Sequence, residues 1–228
     1  MDALYFLKSR TAFIRLFYSE GSKGFSEVMR RIEDELPPFD DPPYSETGEP
    51  PYLEQWLDAH EALNVLGIAC VSLLSDTLKL YFETLRTRVI GFEFENSKAE
   101  LKGGFVPAYL RALAEILNVD WDECPADLAI VEQIVLARNR GQHGGSLTSL
   151  LFEYDKATID KYPRPYFVSI DESAVLSSEA GSLMSLILPT VRVTRDAWVK
   201  SVDEVEKLAG WIDERLNRAH AWRTQANS

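Results

Sequence analysis

Cysteine and histidine are scarce in this chain, with two of the first and three of the second in 228 residues. Cys70 and Cys124 form no C-x-x-C pair, which excludes a disulfide scaffold or a zinc ribbon and reads as two free thiols in a reducing compartment. His60, His143 and His220 make no H-x-x-x-H or H-E-x-x-H pattern, so no metal ligand set and no cofactor are expected. "GSKGFS" at 21–26 lacks the spacing of a phosphate-binding loop, "NVDWDECP" lacks the glycine and terminal glutamate of a calcium loop, and no G-x-S-x-G elbow is present. An uninterrupted apolar run of about eighteen residues is also missing, so no membrane span is expected. The start, "MDALYFLKSRTAFIRLFYSE", has Asp2 where a secretory leader is basic and lacks a small-residue cleavage site; it reads as a packing helix, and the expected location is cytoplasmic. Positive charge is in deficit as well. A net charge of −12 argues against broad, sequence-independent binding of nucleic acid, although a small basic pocket fits within an acidic surface.

What is abundant is helical periodicity, in a chain that is 46% hydrophobic and can bury a core. Leu4, Leu7, Phe13, Ile14 and Phe17 suggest a first helix that Gly21 and Gly24 would end, and Phe25, Val28, Met29, Ile32 and Leu36 a second. Residues 1–36 are therefore expected as a helical pair packing on the rest. The proline-rich acidic stretch 37–51 cannot be helix or central strand. From Tyr52 to Val89 a stripe through Trp56, His60, Leu63, Leu66, Cys70, Leu73, Thr77 and Leu80 predicts one very long helix or two nearly collinear ones. Residues 95–104 read as a loop. Helices follow over 107–118, with Pro107 in the first turn, and over 125–140, with Pro125 at the first helical position. A closing helix is expected over 195–220, with Thr194 as its cap and Val199, Val202, Val205, Leu208, Ile212 and Leu216 inside. Trp56, Trp198 and Trp211 are core candidates. Within the irregular stretch 146–193, "KYPRPYFVSI" and "LPTVRVT" look like short β segments able to pair. The expected fold is all-α in the main: an antiparallel helical bundle over 52–228 with one very long helix and a small β insertion.

The chemistry is concentrated in "LARNRGQHGG", 136–145, where Arg138, Asn139, Arg140, Gln142 and His143 crowd the end of an apolar helix. Asn139 and His143 share a helix face, and Arg138 lies roughly 140° from His143 on an ideal helix, with Gly141 relaxing that geometry. Gly144 and Gly145 would let the backbone turn away. Arginine offers a planar fork for phosphate oxygens, histidine exchanges a proton near neutral pH, and asparagine can fix the imidazole tautomer. That set suits metal-free RNA cleavage, in which the 2′-hydroxyl attacks the adjacent phosphorus and the 5′-oxygen leaves. One histidine per chain supplies one proton shuttle, so a two-fold dimer that apposes two motifs would complete the site. The same residues admit a plainer account. Arg138 could pair with Glu61 or Asp76, and His143 could favour a helix dipole.

Arg138-Asn139-Arg140-Gly141-Gln142-His143 resembles the R-N-x-x-x-H signature of the HEPN superfamily. The resemblance implies a helical bundle that dimerises through the motif face. It further implies a metal-independent endoribonuclease of the kind found in toxin–antitoxin, abortive-infection and CRISPR systems. It makes Arg138 and His143 catalytic and Asn139 their polar support. Arg140 and Gln142 beside them are expected RNA contacts, against the plainer reading of both as solvated surface residues, and an antitoxin or regulatory protein is the expected further partner. Many small toxins of this family carry a tyrosine two residues after the histidine, where this chain has Gly145. The rival class is a non-catalytic helical module that binds a partner protein or nucleotide through the same cleft.

Overall fold

The computed structural model describes residues 2–42, 48–95, 97–143, 151–169, 171–172, 174, 188–219 and 222, with Lys98 and His143 described by backbone alone. Helix α1 runs from Ala3 to Glu33, with Asp2 Oδ1 accepting from the Tyr5 amide at 2.8 Å as its cap. Ala3, Leu7, Thr11, Ile14 and Tyr18 form its buried stripe. The break expected at Gly21 and Gly24 does not occur, and the expected helical pair is one helix. A mid-helix glycine costs about 1 kcal/mol relative to alanine, and here Gly21 lies flush against Leu66, whose Cδ2 would be 3.1 Å from an added Cβ. The contact between two long helices offsets the local preference.

Helix α2, Leu53–Thr84, continues as a π turn over Leu85–Ile90 that Gly91 ends at φ 77°. This is the very long helix that the stripe predicts. It is the spine of the fold, with α1 on one flank and α5 (Leu128–His143) on the other. Val71, Leu74, Leu78, Phe82 and Leu85 are fully buried along it. Leu53–Ile90 is long and apolar enough to cross a membrane by length and composition, and 56% of its most apolar stretch is buried inside the bundle. The expected loop at 95–104 holds a single short helix, α3 (Ser97–Glu100), and a 3-10 turn. Helix α4, Phe105–Leu117, carries Pro107 in its first turn and stacks Tyr109 on Phe82 with ring centroids 5.0 Å apart. After α6 (Lys156–Lys161), helix α7 spans Arg195–Asp213, and Thr194 caps it by accepting from the Ala197 amide at 3.2 Å. Trp198, Val202, Val205, Leu208 and Ile212 are buried on α7, whereas Val199 points outward. Trp211 is also core. Trp56 instead is half-buried outside the core, stacked on His60 and donating to Glu33 at 2.8 Å.

The small β insertion is not formed among the described residues. One antiparallel bridge, Glu153 to Thr190, is all that the expected strands contribute. "LPTVRVT" does not pair with "KYPRPYFVSI" as a ribbon. It lies extended along α2, where Asn64 Oδ1 accepts from the Val193 amide at 3.1 Å and Glu61 pairs with Arg192 at 2.8 Å. The Val191 and Arg192 amides go to the carbonyls of Phe152 and Phe167, and the Thr190 amide to Glu172 Oε1 at 3.1 Å. β-type sequence here reflects an extended, half-buried strap whose backbone groups are satisfied by side chains and single bridges. Gly67 permits this, since an added Cβ would be 2.7 Å from Val193 Cβ.

Candidate functional site

Helix α5 presents the motif. Its start is set by Asp127, whose Oδ1 accepts from the amides of Ala129 and Ile130, and not by Pro125 as expected. Its end lies at His143, beyond the expected 140. Ile130, Val131, Ile134, Val135 and Ala137 are buried and hold α5 in the core. Gly141 does not loosen the helix. It is the point of closest approach to α2, where an added Cβ would meet Ile68 Cγ2 at 2.6 Å. A glycine two residues before His143 therefore seats the motif against the spine.

Arg138 reaches across this contact toward Asp76 on α2. Its Nη2 donates to Asp76 Oδ1 at 3.4 Å, its Nη1 to Asn139 Oδ1 at 3.2 Å, and its buried Nε has no partner among the described residues. The Asp76 pairing is one of the two that the sequence admitted for a purely structural Arg138. It is nonetheless long and single. The structural pairs Arg15–Asp203 and Arg192–Glu61 close at 2.6 and 2.8 Å. With 28% of its side chain exposed and its bond to Asp76 stretched, the guanidinium still has Nη donors to offer an anion, whereas Nε is closed off from solvent. Asn139 is brought to Arg138 as its orienting acceptor.

Arg140 is placed differently. Its Nε donates to the Glu153 carbonyl at 2.8 Å and its Nη1 to Asp155 at 3.4 Å, so it fastens the 151–155 segment to α5. Asp155 in turn caps α6 by accepting from the Thr158 amide at 2.7 Å. Burial pushes the Asp155 carboxyl up, but the Thr158 amide and hydroxyl and the Arg140 charge outweigh it, leaving the pKa below the usual aspartate value. Gln142 is exposed. His143 is the last described residue of α5 in the backbone, while its side chain, Gly144, Gly145 and His220 lie outside the described residues. Sequence reasoning named Asp76 but missed Asp155. Its signal was the D-x-x-T pattern at Asp155 and Thr158, a helix-start signature. Among the described residues no cluster of three or more His, Cys, Asp or Glu side chains is arranged to hold a metal ion.

An open apolar groove of about 740 Å³ runs between α1 and α2, lined by Phe6, Phe13, Leu73 and Leu80. Leu73, Asp76 and Leu80 are three and four residues apart on α2, so this apolar strip adjoins the carboxylate that meets Arg138.

Compared with known family models, curated proteins and solved structures, the chain matches none. Its class is defined by its own geometry: an all-α bundle carrying a cationic, amide-bearing helix end seated against its central helix.

Proposed function

We propose that the protein is a metal-independent endoribonuclease of HEPN type, acting in the cytoplasm in a bacterial toxin or phage-defence system. The observation that carries this reading is Arg138, an arginine at the end of a core helix, oriented by Asn139 and left incompletely bonded. In the reaction, His143 exchanges the protons of the attacking 2′-hydroxyl and the leaving 5′-oxygen, and Arg138 neutralises charge on the phosphorane. Asn139 holds the guanidinium, and Gln142, with Arg140 if its present bonds are released, contacts RNA. A second copy supplies the second histidine. The α1–α2 groove and the Leu73–Leu80 strip beside Asp76 offer a two-fold contact surface next to the motif. An antitoxin or regulatory protein would silence the site by covering it.

The products identify this chemistry. Purified protein should yield 5′-hydroxyl and cyclic or 3′-phosphate ends, and sedimentation at micromolar concentration should show a dimer. A 5′-phosphate end would instead indicate water or a metal-bound hydroxide as nucleophile, and the reading would fail.

A second reading has its own support. The Asp76 pairing and the −12 net charge favour a non-catalytic helical module that binds a partner protein or nucleotide. A wild-type protein without ribonuclease activity that binds RNA or a protein through Arg138 would decide for it.

A further inference from the structure

A second concave site lies at the other end of α5, remote from the motif. It is a pocket of about 470 Å³ between the starts of α5 and α7, walled by Ile130, Pro165, Tyr166 and Val168. That volume is far larger than one inorganic anion needs and suits a small organic ligand. Three of its polar groups are unspent. Gln133 is 94% buried, since only 6% of it is exposed; its Oε1 accepts from the Tyr166 amide at 2.7 Å. Among the described residues its amide nitrogen donates to no acceptor, and Gln133 lines this pocket. That nitrogen is not among the fully buried atoms, so it is open to the pocket and free to donate to a ligand oxygen. Arg164 and Lys200 also line the pocket, and neither has a carboxylate within salt-bridge distance among the described residues. Lys200 instead stands 5.9 Å over the Tyr166 ring.

The other charged group in the lining is Asp127, which is already engaged by the Ala129 and Ile130 amides. Asp196 in the first turn of α7 and Glu204, which accepts from the Asp127 amide and pairs with Lys207, add two further carboxylates nearby. Even so the lining itself holds two cations against one anion, in a chain of net charge −12. The first-turn amides of α7, beside Thr194, add positive potential at the same mouth.

We propose that this pocket binds a nucleoside phosphate, free or as part of an RNA strand. Arg164 and Lys200 take the phosphate oxygens, Gln133 donates to an oxygen or ring nitrogen, and the nucleoside lies against Tyr166 and Pro165. The assignment does not rest on the ribonuclease reading, because Gln133 precedes His143 by ten residues, about 15 Å along the helix.

Calorimetric titration of the full chain tests it, with His143→Ala present so that turnover cannot interfere. The probes are adenosine 5′-monophosphate, adenosine and a ten-nucleotide RNA. The monophosphate or the RNA should bind, and Arg164→Ala and Lys200→Ala should each weaken that binding by about tenfold or more. Gln133→Glu keeps the acceptor for the Tyr166 amide but replaces the donor with a charge, and should weaken binding at least as much. Adenosine should bind at least about tenfold more weakly than its monophosphate. Variant-sensitive binding of the monophosphate assigns a free nucleotide, and variant-sensitive binding of the RNA alone assigns a strand. The proposal is overturned if neither probe binds at millimolar concentration, if Arg164→Ala and Lys200→Ala, both at exposed or rim positions, leave affinity unchanged, or if adenosine binds as tightly as its monophosphate.

Discussion

Replacing Gly141 by alanine probes the contact that seats the motif. A Cβ built on the present backbone lies 2.6 Å from Ile68 Cγ2, where ordinary contact begins at 3.4 Å, so α5 or Ile68 must give by about 0.8 Å. Overpacking of this kind costs about 1–3 kcal/mol. Removing a glycine from a helix interior returns about 1 kcal/mol. The net expectation is a loss of about 1 kcal/mol, read as a lower urea midpoint at unchanged m-value and a fall in Tm of roughly 2–4 °C. Ile68→Ala alone should cost about 2–5 kcal/mol. In that background the clashing methyl is gone, and Gly141→Ala should change sign and stabilise by about 1 kcal/mol. The double-mutant cycle thus isolates the contact. If Gly141→Ala stabilises the unmodified protein by its full propensity gain, the two helices do not meet there and the placement of Arg138 against Asp76 loses its support.

Other expectations follow from the same geometry. Gly67→Ala should cost more than Gly141→Ala, about 2 kcal/mol or above, because the new Cβ meets both Val193 Cβ at 2.7 Å and the Val193 carbonyl oxygen at 3.1 Å, and backbone yields less than a side chain; urea denaturation measures it, and an equal or smaller loss would contradict the clamp. The Asp155 carboxyl has a lowered pKa in the folded chain, so its contribution is present above the unfolded value near 3.9 and is lost as pH falls through the folded value. Asp155→Asn should therefore be less stable than wild type at pH 7, by under about 1 kcal/mol given its exposure. That gap should narrow below about pH 4, whereas a pH-independent gap would refute the charge argument. Burial pushes the Cys70 thiol up to about 12 and leaves it fully inaccessible. A thiol reagent at pH 8 should reach Cys124 first and Cys70 only on unfolding; equal labelling rates would contradict the core assignment.

The helices were legible because their stripes are long and their caps local. Tyr52 to Val89 announces α2, and Thr194 announces α7 through a side chain that accepts three residues on. What escaped the sequence is tertiary. Gly21 looks like a break, yet Leu66 fills the space a side chain would occupy. "LPTVRVT" has strand composition, but its amides find Asn64, Glu172 and isolated carbonyls in place of a ladder. The same holds at the site. The cluster of polar residues could be read from spacing, and Asp76 could be named as one possible ally of Arg138, but the choice between Asp76 and Glu61 depends on helix packing. In the structure Glu61 is taken by Arg192, and Asp76 is left to Arg138. The role of Arg140 was hidden for the same reason, since its partners Glu153 and Asp155 lie thirteen and fifteen residues on.

The central claim is that the end of α5 cleaves RNA by proton transfer and arginine stabilisation. The most direct measurement is the initial rate of cleavage of single-stranded RNA in EDTA by wild type, His143→Ala and Arg138→Ala, each checked for an unchanged fold by its urea midpoint. Loss of an acid–base group should slow cleavage by about 10²–10⁴-fold. Arg138→Ala should also remove most of the activity, and its effect on stability should stay under about 1 kcal/mol because its ion pair with Asp76 is long and partly exposed. Equal rates for wild type and His143→Ala would contradict the account.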